Sequence, residues 1–154
     1  MSIISPEIEY VDRSEESIRY LEHGWPTDLC RWHAHAEYEL HLILETKGRA
    51  FVGDYIGDFQ AGDLFLTGPH LPHTWVTDSY NHPIVETRDM LVQFSDENMQ
   101  GLIRAFPEFR GLTGMLELSR AGLKFNNFPQ SRAVQHFKNI RASSQIRRVL
   151  AFLE

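Results

Sequence analysis

Residues 31–94 are cut into short apolar runs by closely spaced turn formers, and this leaves room for little except a β fold. Tyr38, Leu40, Leu42 and Leu44 alternate with Glu37, Glu39, His41 and Glu45, the period of two expected of a strand with unlike faces. Lys47-Gly48 turns the chain into a strand over residues 49–52. Five glycines fall between Gly48 and Gly68. Gly53-Asp54, Gly57-Asp58 and Ala61-Gly62-Asp63 mark turns, and residues 64–67 form an apolar run suited to a buried strand. Gly68-Pro69 and Leu71-Pro72 bend the chain, since proline lacks a donor and restricts the residue before it. Residues 74–77 resume a strand, a loop spans 78–83, and 84–94 read as one longer strand. An earlier strand opens at residues 17–20, with His23-Gly24-Trp25-Pro26 expected to break it. Residues 1–16 fit an entry segment or a short edge strand. Short strands with no helix among them indicate a sandwich or barrel.

After Ser95 the period changes. Ser95 can cap a helix in which Met99, Leu102, Ile103 and Phe106 share a face. Pro107 opens another, carrying Phe109, Leu112 and Leu116. Gly122 ends it, and residues 123–125 suit one more short strand. Pro129 opens a third helix with Val134, Phe137 and Ile140. Past Ser143-Ser144, Ile146, Val149, Leu150 and Leu153 form a further stripe. A helix this short needs packing, so a second subunit, further chain, or both are expected to cover it.

The chain has 154 residues, enough for one domain with a substantial core. Its net charge of −6 argues against a direct grip on nucleic acid. Residues 121–153 nevertheless carry six basic side chains and no acidic one, whereas residues 1–120 carry 20 acidic and 9 basic. Cys30 is the single cysteine, which excludes an internal disulfide and fits a reducing compartment. Residues 1–16 have no apolar signal core, and no run suits a membrane span. The expectation is a cytoplasmic protein without a membrane partner.

The chemistry concentrates in two places. His33, His35 and Glu39 stand at His-x-His-x-x-x-Glu spacing, and His73 follows the Leu71-Pro72 bend. Neutral imidazoles with a carboxylate suit a borderline divalent metal such as zinc, nickel, iron or manganese. The three odd-numbered residues share one face of a regular strand. Glu37, His41 and Glu45 share it too, so spacing leaves a pocket mouth and a solvent face both open, and a bulge near Ala36 could shift Glu39. Trp32 and Trp75 flank the candidate ligands, and Tyr38 and Phe65 lie on neighbouring strands. Aromatic walls with a few convergent polar groups describe a small-molecule pocket. Trp32, Tyr38, His41 and Trp75 are the effector-binding candidates, while Phe65 fits the core better. Nothing resembles a covalent catalytic set or a phosphate-binding glycine loop, and no catalytic residue is assigned.

These runs resemble a known superfamily. Residues 33–48 are similar to the first cupin motif, with His-x-His, a glutamate and then a glycine. Gly57-Asp58 through Gly62-Asp63, followed by Gly68-Pro69-His70-Leu71-Pro72-His73-Thr74-Trp75, is similar to the second. The wording is nearest to the N-terminal domain of AraC-type transcription regulators, over about residues 17–142, Gln93-Phe94 included. The resemblance implies a mainly β fold: a double-stranded β-helix barrel over residues 1–95, followed by C-terminal helices over 96–154, in one structural domain. It implies an effector-sensing domain, not an enzyme, that binds a small molecule (a sugar by analogy) and forms a homodimer through the C-terminal helices. DNA would be contacted only through a helix-turn-helix domain absent from this chain. His33, His35, Glu39 and His73 fall on the positions that hold metal in metal-dependent cupins. A stand-alone metal cupin enzyme, a dioxygenase or isomerase, is the alternative.

Overall fold

In the computed structural model, which describes residues 4–79 and 83–154, ten strands form two five-stranded sheets. The first runs β1 (Glu7–Ile8), β3 (His33–Ala34), β8 (His73–Thr77), β5 (Lys47–Val52), β6 (Tyr55–Gln60). The second runs β10 (Leu123–Phe125), β7 (Leu64–Thr67), β4 (Glu37–Ile43), β9 (Val85–Ser95), β2 (Ile18–Trp25). All pairings are antiparallel except β1 with β3. The hydrogen-bonded ladders of the two sheets stay separate, so the β part is two facing sheets rather than one continuous ring.

The helices follow the strands: α1 (Asp96–Ala105), a 3-10 turn over Pro107–Leu112, α2 (Thr113–Ser119), α3 (Gln130–Ala142) and α4 (Gln145–Leu153). The Ser95 hydroxyl accepts from the Asn98 N–H at 3.1 Å and caps α1, with Asp96 and Glu97 in the first turn where the helix dipole favours them. β10 returns from this helical part to the edge of the second sheet.

Strand alternation divides the interior in two. Tyr38, Leu42, Leu66, Val92 and Phe94 leave the outer side of the second sheet and meet Met99, Leu116, Phe137 and Ile140 from the helices. On its inner side Ile43 and Phe65 pack with Ala50, Val52, Phe59 and Trp75 of the first sheet. The polar parity of β4 therefore does not face water. Glu37, Glu39 and His41 are each 2% exposed.

Three expectations change. The chain is not one regular strand through residues 33–45: β3 ends at Ala34 in one sheet and β4 begins at Glu37 in the other. The His23–Pro26 stretch does not stop β2, which runs to Trp25 with a register shift between His23 and Trp25. Gly24 permits this, because a Cβ there would sit 2.8 Å from the Val85 carbonyl oxygen. The helix expected from Pro107 starts as a 3-10 turn before becoming α2. The loop expected over 78–83 lies partly outside the described residues.

Phe94 joins the layers, with its ring 5.3 Å from Tyr38 and 4.8 Å from Phe152. Phe94→Ala is expected to cost about 3–5 kcal/mol and Ser95→Ala about 1 kcal/mol, both read as shifts in the urea unfolding midpoint.

Candidate metal and effector site

The switch between sheets builds the site. β3 pairs with β8 so that His33 lies opposite His73. His35 sits in the link to β4, and β4 then carries Glu39 on its inner side. The ligating atoms of His33, His35, Glu39 and His73 all lie within 4.8 Å of one another. One sheet supplies two of the ligands, the other sheet one, and the crossing segment the last.

Each of the three histidines is anchored the same way. His33 Nδ1 lies 2.7 Å from the Arg31 carbonyl oxygen, His35 Nδ1 3.1 Å from that of Glu37, and His73 Nδ1 2.8 Å from that of Leu71. A carbonyl only accepts, so each Nδ1 carries the proton and donates it. In the neutral rings this leaves Nε2 as a bare lone pair. His35 Nε2 is 3.1 Å from Glu39 Oε2, His73 Nε2 is 3.6 Å from Glu39 Oε1, and the buried His73 Nε2 has no hydrogen-bond partner among the described residues. Lone pairs and a carboxylate this close repel unless a proton or a metal ion stands between them, and for His35 and Glu39 a shared proton serves when no metal is bound. The donor set fits a borderline divalent metal, with ring tautomers already selected by backbone acceptors.

Around the four residues lies a polar shell. Gln93, opposite Glu39 in the β4–β9 register, donates Nε2–H to Glu39 Oε2 at 3.0 Å. His41 reaches Glu39 Oε1 through Nδ1 at 2.8 Å and Asp89 Oδ2 through Nε2 at 3.2 Å. Burial opposes charge on His41, but Asp89 and then Glu39 outweigh it and push its pKa up to about 9. The ring is thus an imidazolium, and it stacks on Trp75 at 4.0 Å between centroids, a cation–π pair. Arg88 donates through Nε to Asp89 Oδ2 at 2.8 Å and through Nη1 to the Trp75 carbonyl at 3.1 Å. His23 lies 3.1 Å from Asp89 Oδ1. Burial alone would raise the carboxyls; His41, His23 and Arg88 instead hold Asp89 low, and His35, His41 and His73 hold Glu39 well below the usual carboxylate range. For His35, burial works against charge, yet Glu39 raises its pKa. For His33, burial and the neighbouring His73 lower it.

A pocket of about 120 Å³ opens onto this centre, and His33 and Glu39 are among its walls together with Arg19, Arg31, His41 and Trp75. His35 and His73 do not line it. Of the effector candidates, His41 and Trp75 are at the pocket. Tyr38 is not: its even parity turns it to the helix side of β4, where it stacks on Phe94 and donates its hydroxyl proton to Asp96 at 2.8 Å. Trp32 is half-buried outside the pocket lining, its carbonyl accepting from the Glu7 N–H. Sequence reasoning missed Arg88 and Asp89 as site residues. The signal was present, since two adjacent charges stand directly before the apolar run Met90-Leu91-Val92 of the same strand.

Comparison with known proteins places these features in a wider group. The model of the AraC-like ligand binding domain family matches residues 17–124. No curated protein sequence matches the chain. Among solved structures, ToxT from Vibrio cholerae O395 bound to (E)-4-(8-methylnaphthalen-1-yl)but-3-enoic acid aligns with a TM-score of 0.51 and 12% identity, over 90% of this chain and 54% of that one. A 1.65 Å structure of ToxT from Vibrio cholerae in the P21 form gives 0.51 and 11%, over 89% and 53%. At this identity the likeness is one of fold. The chain spans about half the length of those structures.

Because folded His41 holds its proton to about pH 9 and an unfolded histidine to about pH 6.5, the folded state binds more protons between these values. Its contribution is complete below pH 6.5 and disappears as pH rises toward 9. The metal-free protein is expected to lose stability over that window with a slope of at most about 1.4 kcal/mol per pH unit from this group. His41→Gln should flatten the slope in urea titrations at successive pH values.

Proposed function

The chain belongs to the AraC-like ligand binding domain family, and on that premise we propose that it is an effector-sensing domain whose pocket is built around a metal centre. His33, His35, Glu39 and His73 would hold a divalent ion, with zinc, nickel, iron and manganese as candidates. The observation that carries this reading is the shared anchoring of three imidazoles through Nδ1, which aims three Nε2 atoms and one buried carboxylate at one point. When bound, such an ion supplies Lewis acidity and a coordination position for a ligand oxygen or nitrogen. The chain's own residues do the rest: Gln93 and His41 orient Glu39, Asp89 and Arg88 fix His41, and Trp75 with His41 offers a flat wall. Arg19 and Arg31 bring donors to the pocket, which suits an acceptor-rich effector. A sugar is one such class, by analogy.

The family points to a regulatory domain rather than an enzyme. We further propose that the domain dimerises through its C-terminal helices and acts on DNA through a domain outside this chain, in the cytoplasm. The exposed Ile146 and Leu150 on α4 support the first point. The family match and the partial coverage of the ToxT structures support the second. The single cysteine fits a reducing compartment, and among the described residues no helix is long and apolar enough to cross a membrane.

Metal analysis of the purified protein is expected to give one ion per chain. His33→Ala and His73→Ala should each weaken it by at least the about 10–100-fold typical of losing an outer-shell partner. Absence of metal in the wild type, with no loss on mutation, would sink the metal reading. A sugar panel tests the effector: a true ligand at about one hundred times its Kd stabilises the fold by about 2.7 kcal/mol, seen as a rise in Tm that Trp75→Ala removes.

A further inference from the structure

We infer that the domain carries a second, wholly apolar ligand site on the reverse side of the sheet that holds the polar centre. A cavity of about 330 Å³ lies between the second sheet and the C-terminal helices. Leu66, Leu116 and Phe94 form its floor, at 1%, 2% and 4% exposure. Met99 and Met115 stand among its walls, and Phe152 of α4 closes one side. Every lining side chain is apolar.

This recess is a poor place for water. It opens partly to solvent, so water can enter it but meets mostly apolar surface there. An ordered water needs two to four polar partners, and these side chains offer none. A charged or sugar-like guest would lose its hydration without replacement. The fitting occupant is a neutral lipophilic small molecule, and the volume is at the lower end of the about 300–1,000 Å³ usual for such sites. The two methionines supply walls that adapt to shape. A helix from a second copy fits less well. Its natural seat is the solvent-facing Ile146 and Leu150 of α4, which do not line the cavity. A guest here would bridge the sheet and Phe152, and so hold α4 against the strands. The site is distinct in its lining from the polar centre: Leu40 and Phe94 line one, while their chain neighbours Glu39 and Gln93 line the other.

The test uses naphthalene and 1-decanol with the metal-free chain, followed by calorimetry, thermal melting and methionine-methyl NMR. The expected result is saturable one-to-one binding, a higher Tm, and shifts confined to the Met99 and Met115 methyls, with Met90 unmoved. Leu112→Trp, which fills the recess, should lose the binding while His73→Ala keeps it. The inference is overturned if the wild type shows no saturable binding or if the shifts fall outside Met99 and Met115. Binding that persists in a folded Leu112→Trp protein also overturns it. So does binding that occurs only as a dimer dissociates, since the cavity would then belong to a second copy.

Discussion

Glu39 is a carboxylate at 2% exposure in the middle of the protein, and much of the inner structure answers its charge. An isolated buried ion carries a penalty of several kcal/mol unless partners replace the lost water. Gln93 and His41 donate to Glu39 from the second sheet, while His35 and His73, from the first sheet and its crossing segment, bring Nε2 atoms that favour the charge only with a proton or a metal ion between ring and carboxylate. His41 in turn requires Asp89, and Asp89 requires Arg88 and His23. The chain of alternating charge runs from the centre to the pocket edge. Removing any interior member strands a charge, so the set behaves as one unit rather than as separate pairs.

Because the four candidate ligands come from both sheets and the segment between them, the cluster exists only when the sheets face each other. A cation bound there would tie the two sheets together, and its binding free energy would appear as folding free energy. The same geometry explains why the histidines are pre-oriented. Their Nδ1 partners are backbone carbonyls of Arg31, Glu37 and Leu71, which the strand ends and the proline bend place independently of any ion.

The second sheet is shared by two environments. On one side β4 and β9 present Glu39, His41, Asp89 and Gln93 to the facing sheet. On the other, Tyr38, Leu40, Leu42 and Phe94 meet the helices. Alternation alone makes neighbouring residues in the chain belong to opposite worlds. Whatever displaces β4 or β9 on the polar side is therefore felt by α1 and α4, which rest on the apolar side of the same strands. Sensing by such a domain requires a ligand that favours one arrangement of those helices over another.

Much of this was legible in the residues. Glycine and proline spacing marks the strands, Ser95 marks the passage to helices, and the apolar stripes at Val134, Phe137 and Ile140 mark α3, because local turn chemistry and period depend on neighbours in the chain. The His33, His35, Glu39 and His73 set was legible as residue types, and the structure brings those four together. What period could not decide was the meaning of the polar face of β4, since a lumen and bulk water give the same alternation. Nor could it decide the fate of Tyr38, which parity sends to the helix side, or the roles of Arg88 and Asp89. Those depend on a strand in one sheet meeting a strand in another, through contacts between residues some fifty positions apart, such as Glu39 with Gln93. The sequence by itself determined which side chains alternate and where the chain must turn. Only the tertiary structure decided which face is enclosed, because enclosure is a property of two sheets packed together and neither sheet carries it alone.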